Sequence, residues 1–199
     1  MAEISATAVA ELRRRTAVGL MECKRALTEA KGDMDEAIKV LRKSGAAKAE
    51  KKSGRATGEG RIASYIHAGD KIGVMVEINC ETDFVARTDD FRELCHNVAM
   101  HVAAANPRFV TRDEVDAKSL ETEREVYRAQ AIKEGKAEAL LDKVVEGRVN
   151  KFYQEACLLE QPFVKNPDIN VSKLVEEKIA ILGENIQIRR FARFALGEE

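Results

Sequence analysis

The 199-residue chain has no tryptophan, and aromatic residues make up only 5% of it. Hydrophobic content is ordinary at 45%, so a core can still form. The chain also lacks a surplus of either charge. Its 33 basic residues face 34 acidic ones, for a net charge of -1. That balance argues against a generic nucleic-acid or membrane-surface binder, which needs a basic excess. Closely spaced cysteines are missing too. Cys23, Cys80, Cys95 and Cys157 form no CxxC pair, and each lies among apolar residues or on a helical stripe. They read as buried free thiols in a reducing compartment. No apolar run approaches the ~20 residues a spanning helix needs. The opening Met1-Ala2-Glu3-Ile4 has neither the basic nor the apolar region of a secretory signal. A cytoplasmic protein is expected.

The motifs of phosphate binding and nucleophilic catalysis are absent as well. There is no GxxxxGK[ST], no GxGxxG after a strand and no GxSxG elbow. Glu81 and Asp83 make a pair of carboxylates, but no base or nucleophile accompanies them. His67 stands alone on a strand. His96 and His101 are five apart, off one helical face, with no third ligand nearby. The reading is a protein that is not an enzyme and carries no metal or cofactor.

What is present is charge, 34% of the residues, with much Ala, Glu, Lys, Arg and Leu. That composition favours exposed helices. Residues 5–45 predict three short helices. Ser5 can cap the first, which carries Val9 and Leu12 on one face. Thr16 to Gly19 breaks it. The second, about Leu20 to Ala30, spaces Leu20, Cys23 and Leu27 helically, and Gly32 stops it. Asp33 caps the third, with Glu36 three residues later and Met34, Ala37, Ile38 and Leu41 at a 3.6 period. A bundle this small suits docking. We assign residues 1–45 to a docking module. Residues 46–60 are a Lys- and Gly-rich linker whose first half can be helical, and 61–199 form a core.

The core reads as α+β. Arg61 to His67 and Lys71 to Cys80 are strands around an Ala68-Gly69-Asp70 turn. A helix follows from about Thr88 to Ala105, its stripe being Phe91, Leu94, Cys95, Val98, Ala99 and Val102. Residues 118–160 form an antiparallel helical hairpin broken at Glu134-Gly135-Lys136, and Pro162 and Pro167 end it. After a helix over Val171 to Leu182, Glu184 to Phe194 alternates as a strand. It joins the earlier hairpin only as a long-range third member of an antiparallel sheet, which makes the helical hairpin an insertion.

One stretch stands apart: Glu77-Ile78-Asn79-Cys80-Glu81-Thr82-Asp83-Phe84-Val85-Ala86-Arg87. It leaves a strand through an acidic, hydroxylated corner and then delivers a phenylalanine. Chemistry alone leaves Phe84 open between two fates. It can turn inward to cap the core, as most phenylalanines do, or outward as a tool.

Two long runs resemble a known family. Leu12 to Leu27 followed by Gly32-Asp33-Met34-Asp35-Glu36-Ala37 is similar to the N-terminal module of bacterial elongation factor Ts, and Glu77 to Arg87 to that family's second signature. Collinear matches follow at Ala99 to Ala104, at Val145 to Arg148 with Lys151-Phe152 and Gln161-Pro162-Phe163, and at Gly183 to Ile186 with Arg189-Arg190-Phe191. The resemblance implies guanine-nucleotide exchange on elongation factor Tu, the GTPase that carries aminoacyl-tRNA in translation. It implies that the N-terminal bundle is ubiquitin-associated-like and docks on the GDP-bound GTPase. By position Arg13, Leu20, Met21 and Lys24 make that contact, and His101 also faces the partner. The loop Thr82, Asp83, Phe84 and Val85 would enter beside the GTPase's magnesium and displace it. The chain departs from the family at Ala17, where glycine is commoner. It also carries one α/β subdomain where longer members carry two. Short members are expected to rebuild the pair as a homodimer, giving a 2:2 complex. The competing reading is an RNA- or ribosome-associated binder acting through Lys43 to Arg61 and the last strand's arginines.

Overall fold

The computed structural model describes residues 4–198. Its first three helices exist because each is punctuated at its ends. Helix α1, Ala6–Thr16, starts at Ser5, whose hydroxyl oxygen accepts the Ala8 N–H at 3.2 Å. It stops at Ala17, which adopts the left-handed conformation (φ 55°) and donates its N–H to the Arg13 carbonyl at 2.8 Å. Helix α2 is Leu20–Glu29. Gly32 (φ 90°) closes it by donating back to the Leu27 carbonyl at 2.8 Å. Asp33 then accepts the Glu36 N–H at 2.8 Å and opens α3, Met34–Lys52. Val9, Leu12, Cys23, Ala26, Leu27 and Ala37 form the buried centre of this bundle.

Helix α3 runs past the apolar periodicity on which its end was placed, so irregular chain is confined to residues 53–58. Packing explains this. Gly45 and Ala49, one turn apart, are buried, and a Cβ added at Gly45 would lie 3.2 Å from the Ala180 Cβ. Ala180 belongs to α8, Val171–Leu182. Small residues let the two helices approach but give little hydrophobic signal in sequence. Lys52 Nζ also donates to the Gly183 carbonyl.

Strands β1, Glu59–Ile66, and β2, Ile72–Cys80, form the anticipated hairpin. The His67 N–H donates to the Ile72 carbonyl at 2.9 Å. Gly69 (φ 93°) and Asp70 (φ 57°) make the turn. A helical turn, α4 (Asp83–Ala86), and helix α5 (Asp89–Ala105) come next. Helices α6, Ala117–Lys133, and α7, Glu138–Ala156, form the helical hairpin. Leu141, Val145 and Val149 are buried along α7, and Arg128–Asp142 and Arg148–Glu134 ion pairs at 2.7 Å lace its flanks. A two-stranded ribbon that the sequence reading did not contain follows: β3, Pro162–Phe163, and β4, Asn166–Asn170. Both prolines that read as terminators lie in it, because a two-stranded ribbon is all edge and tolerates missing donors. Strand β5, Ile186–Ala195, completes a sheet of order β1-β2-β5. Leu196 donates to Lys71 at one end, and Asn185 meets Glu81 at the other, so β5 runs antiparallel to β2. The α+β architecture with an N-terminal bundle, a three-stranded antiparallel sheet and a helical hairpin is therefore the one expected.

By internal contacts the chain forms two units. The first comprises residues 1–62, 77–95 and 173–188, and the second 63–76, 96–172 and 189–199. Ile78, Phe91, Leu94, Cys95, Ile179 and Ile186 are buried in the first, and Val74, Val76, Val98, Val102, Val149 and Leu158 in the second. All four cysteines are free and buried. Burial pushes the Cys80 thiol up to about 11 and Cys95 to about 12. No helix among the described residues is long and apolar enough to cross a membrane.

Candidate functional site

The corner after β2 is built by capping. Thr82 has extended backbone (φ -131°, ψ 155°), and its hydroxyl oxygen accepts the Val85 N–H at 3.4 Å, which starts α4. The helix closes within one turn. The Arg87 N–H reaches the Asp83 carbonyl at 3.2 Å, and the Thr88 hydroxyl donates to the Val85 carbonyl at 2.8 Å. Four residues cannot bury every side chain. Val85 and Ala86 go inward, and Phe84 is left 80% exposed. The question that chemistry left open is decided outward. An exposed phenylalanine on a capped turn is an apolar projection held by backbone on both sides.

Asp83 does not point freely into solvent. Its carboxylate accepts from the Arg87 guanidinium at 2.6 Å, an i,i+4 pair spanning the turn. Thr82 is held from behind. The N–H groups of Glu81 and Thr82 donate to one oxygen of Glu184 at 3.1 and 3.0 Å, and the Thr82 hydroxyl donates to the other at 2.6 Å. Glu81 in turn accepts the Asn185 N–H at 2.7 Å and lies beside the Arg55 guanidinium. The Asn185 donor, then Arg55, hold the Glu81 carboxyl below the usual carboxylate range. Glu184 and Asn185 lie inside the Gly183 to Ile186 match, but nothing in the sequence marked them as contacts of this corner. By residue type alone they are a polar pair just before the last strand, which reads as an ordinary turn.

The N-terminal residues lie in the same unit as this corner. Arg13, Leu20, Met21 and Lys24 are all exposed, with Met21 at 74%. Met21 and Lys24 line one shallow groove on α2 with Arg25, Thr28 and Glu29. The groove's lining thus carries both signs of charge, Lys24 and Arg25 with Glu29, beside the apolar Met21.

His101 is placed differently. It is fully buried in the second unit. Its Nδ1 accepts the Val164 N–H at 3.3 Å, so Nε2 carries the proton and donates to Gln161 Oε1 at 2.9 Å. Gln161 is fixed by donating to the Glu155 carbonyl at 2.6 Å. Burial holds the imidazole below its ordinary value. His101 therefore has no surface of its own to offer a partner in this chain, and its side chain instead positions β3. His96 is exposed and sits edge-on to Tyr65, so the two histidines share no site. No cluster of three His, Cys, Asp or Glu residues able to hold a metal occurs among the described residues.

The first unit thus exposes a phenylalanine on a capped corner and, on its helical bundle, Leu20 and Met21 beside Arg13 and Lys24. Comparison with known proteins shows the family. The family model described as elongation factor TS matches residues 1–198. Elongation factor Ts of Solibacter usitatus is 57% identical over 198 residues, covering 100% of this chain and 93% of that protein. Elongation factor Ts of Desulfosudis oleivorans is 56% identical with full coverage of both chains. That of Acetivibrio thermocellus is 57% identical over 195 residues, 98% of this chain and 91% of the relative. With the two signatures, the corner and the bundle all inside one end-to-end match, the chain belongs to the elongation factor Ts family.

Proposed function

We propose that this chain is the guanine-nucleotide exchange factor of the translational GTPase elongation factor Tu, and that it acts by driving Phe84 into the GTPase beside its magnesium site. The observation that carries the reading is the 80% exposed Phe84 on a turn capped at both ends. A GTPase of this class holds GDP partly through magnesium, positioned by a P-loop Ser or Thr and an Asp. Burying a phenylalanine is worth about 1.5–3 kcal/mol. If that energy is available only in a conformation whose magnesium has moved, binding of the factor and loss of nucleotide are coupled. The coupling is reciprocal, so incoming nucleotide expels the factor to the same degree. No covalent step is needed, and the factor is recovered unchanged.

The proposed roles divide along the chain. Residues 1–45 dock, with Arg13, Leu20, Met21 and Lys24 as the contact. Thr82 caps the loop, Phe84 is the wedge and Val85 is its buried foot. The Arg87 pair gives Asp83 a local role through Oδ2, stiffening the turn, while its other oxygen remains able to meet a partner's donor. His101 acts indirectly, through β3 and Val164. The proposed site of action is the cytoplasm.

We further propose a homodimer and a 2:2 complex with the GTPase. The support is the outer face of the sheet in the second unit, where Ile66, Met75, Phe194 and Leu196 are all exposed. Gly73 leaves Ile66 room there, since an added Cβ would come within 3.1 Å of its Cδ1. A polar sheet face would need no cover; this one does. Release of fluorescent GDP from elongation factor Tu, with and without the protein, tests the exchange reading, and an unchanged rate rejects it. Light scattering tests the dimer. A Phe194→Glu variant should be monomeric, and a parent that is already monomeric at working concentration rejects the dimer.

A further inference from the structure

We propose that Glu184 is the positioning residue of the wedge, holding the Glu81–Thr82 corner in the backbone conformation that aims Phe84 outward and registering it against the exit of α3. This rests on the exchange reading above.

The geometry is specific. Two consecutive N–H groups and one hydroxyl converge on a single carboxylate, at 3.1, 3.0 and 2.6 Å. The N–H groups of Glu81 and Thr82 precede α4, so the helix supplies them no acceptor. The Thr82 hydroxyl has one proton. By taking it, Glu184 turns the lone pairs of Thr82 Oγ1 toward the Val85 N–H, and so acts one bond further on, at the start of the turn that carries Phe84. A carboxylate suits three donors better than a neutral group, because hydrogen bonds to an ionised acceptor are about twice as strong.

The contact also crosses over. Glu184 caps the end of β2, while Glu81, at that end, accepts from Asn185 at the start of β5. Asn185 is buried, and its Nδ2 donates to the Ser53 carbonyl at 3.2 Å and the Arg55 carbonyl at 2.8 Å. Lys52 adds a bond to the Gly183 carbonyl. Three segments distant in sequence thus share one network: the exit of the docking bundle, the wedge corner and the α8–β5 turn. The chain after α3 is anchored at Lys52, Ser53 and Arg55 rather than trailing as a free tether. The exit of α3 and the start of α4 are held in register by the same residues.

A positioning role differs measurably from a merely structural one. Glu184→Ala removes both carboxylate oxygens and so the acceptor of all three donors. Glu184→Gln keeps the shape but loses the charge, and it carries the test if the alanine variant does not fold. Two readouts are needed. Hydrogen exchange of the Glu81 and Thr82 amides in the free protein reports the clamp alone. GDP release from elongation factor Tu over a range of factor concentration separates maximal rate from half-saturation. For Glu184→Ala we expect those two amides to exchange about tenfold faster or more, and the maximal rate to fall about tenfold. Half-saturation should stay near the parent value, and Glu184→Gln should fall between the two. Unchanged amides overturn the proposal. So does a parent-like maximal rate, or a half-saturation that worsens in step with the rate, which would mean general damage. If the parent itself does not accelerate release, the exchange reading fails and the amides alone decide the clamp.

Discussion

Replacing Phe84 by alanine should separate action from folding. The side chain is 80% exposed, and its neighbours Val85 and Ala86 supply the buried foot of the turn. Its removal should therefore change the stability of the free protein by no more than about 0.5 kcal/mol. Alanine is also the better helix former, so the turn itself is not weakened. The loss appears only in the complex. A phenylalanine that becomes buried there contributes about 1.5–3 kcal/mol. Since 1.4 kcal/mol is a factor of ten, the maximal rate of stimulated GDP release should fall about ten- to hundredfold. Phe84→Leu keeps much of the apolar volume and should lose less. The assay is fluorescent GDP release from elongation factor Tu at saturating factor, with a melting curve for each variant. Parent-like stimulation by Phe84→Ala would refute the wedge. So would a rate loss that tracks a large drop in melting temperature, because the ring would then be part of the core.

Other surfaces should respond differently. Met21→Ala should raise the half-saturating concentration about tenfold and leave the maximal rate and the melting curve in place, because Met21 is exposed in the free protein and the proposed docking would bury it. Ala17→Gly should stabilise the fold by about 0.5–1 kcal/mol in urea unfolding, since Ala17 holds a left-handed conformation that glycine adopts without strain. His101 should show no titration near pH 6.5 by NMR, because burial and the Val164 N–H keep it neutral. Its folded value lies below its unfolded one, so its contribution to stability is complete above about pH 6.5. That contribution is lost as pH falls from there toward the folded value. A His101 resonance titrating at 6.5 or higher would contradict this.

The elements most legible in the sequence were those whose residues carry a strong period or a clear cap. Ser5, Asp33 and the stripe from Phe91 to Val102 all did what their spacing implies. The end of α3 was harder to read, because Gly45 and Ala49 pack by being small and leave no hydrophobic trace. The β3–β4 ribbon was hidden by Pro162 and Pro167, which signal interruption in a chain but are tolerated on an edge. At the site, the family signature drew attention to Thr82–Val85, while spacing alone could not say where Phe84 points. What settles its direction is the Thr82 cap and the Glu184 carboxylate, a contact made across the fold by a residue about a hundred positions away. The burial of His101 was illegible for a related reason. A histidine on a helix has no sequence mark that tells a surface role from a buried one, and here Gln161 and Val164 claim both ring nitrogens.

The central claim is that the Phe84 corner accelerates GDP release by displacing magnesium. The most direct measurement is the ratio of stimulated to unstimulated GDP release from elongation factor Tu, taken first in millimolar magnesium and then with the metal chelated. If the factor works on the magnesium site, a complex already without magnesium has less left to gain, and the ratio should drop at least about tenfold, the equivalent of 1.4 kcal/mol of coupling. An equal ratio in both conditions would mean that Phe84 loosens the nucleotide by another route, and the account would be wrong.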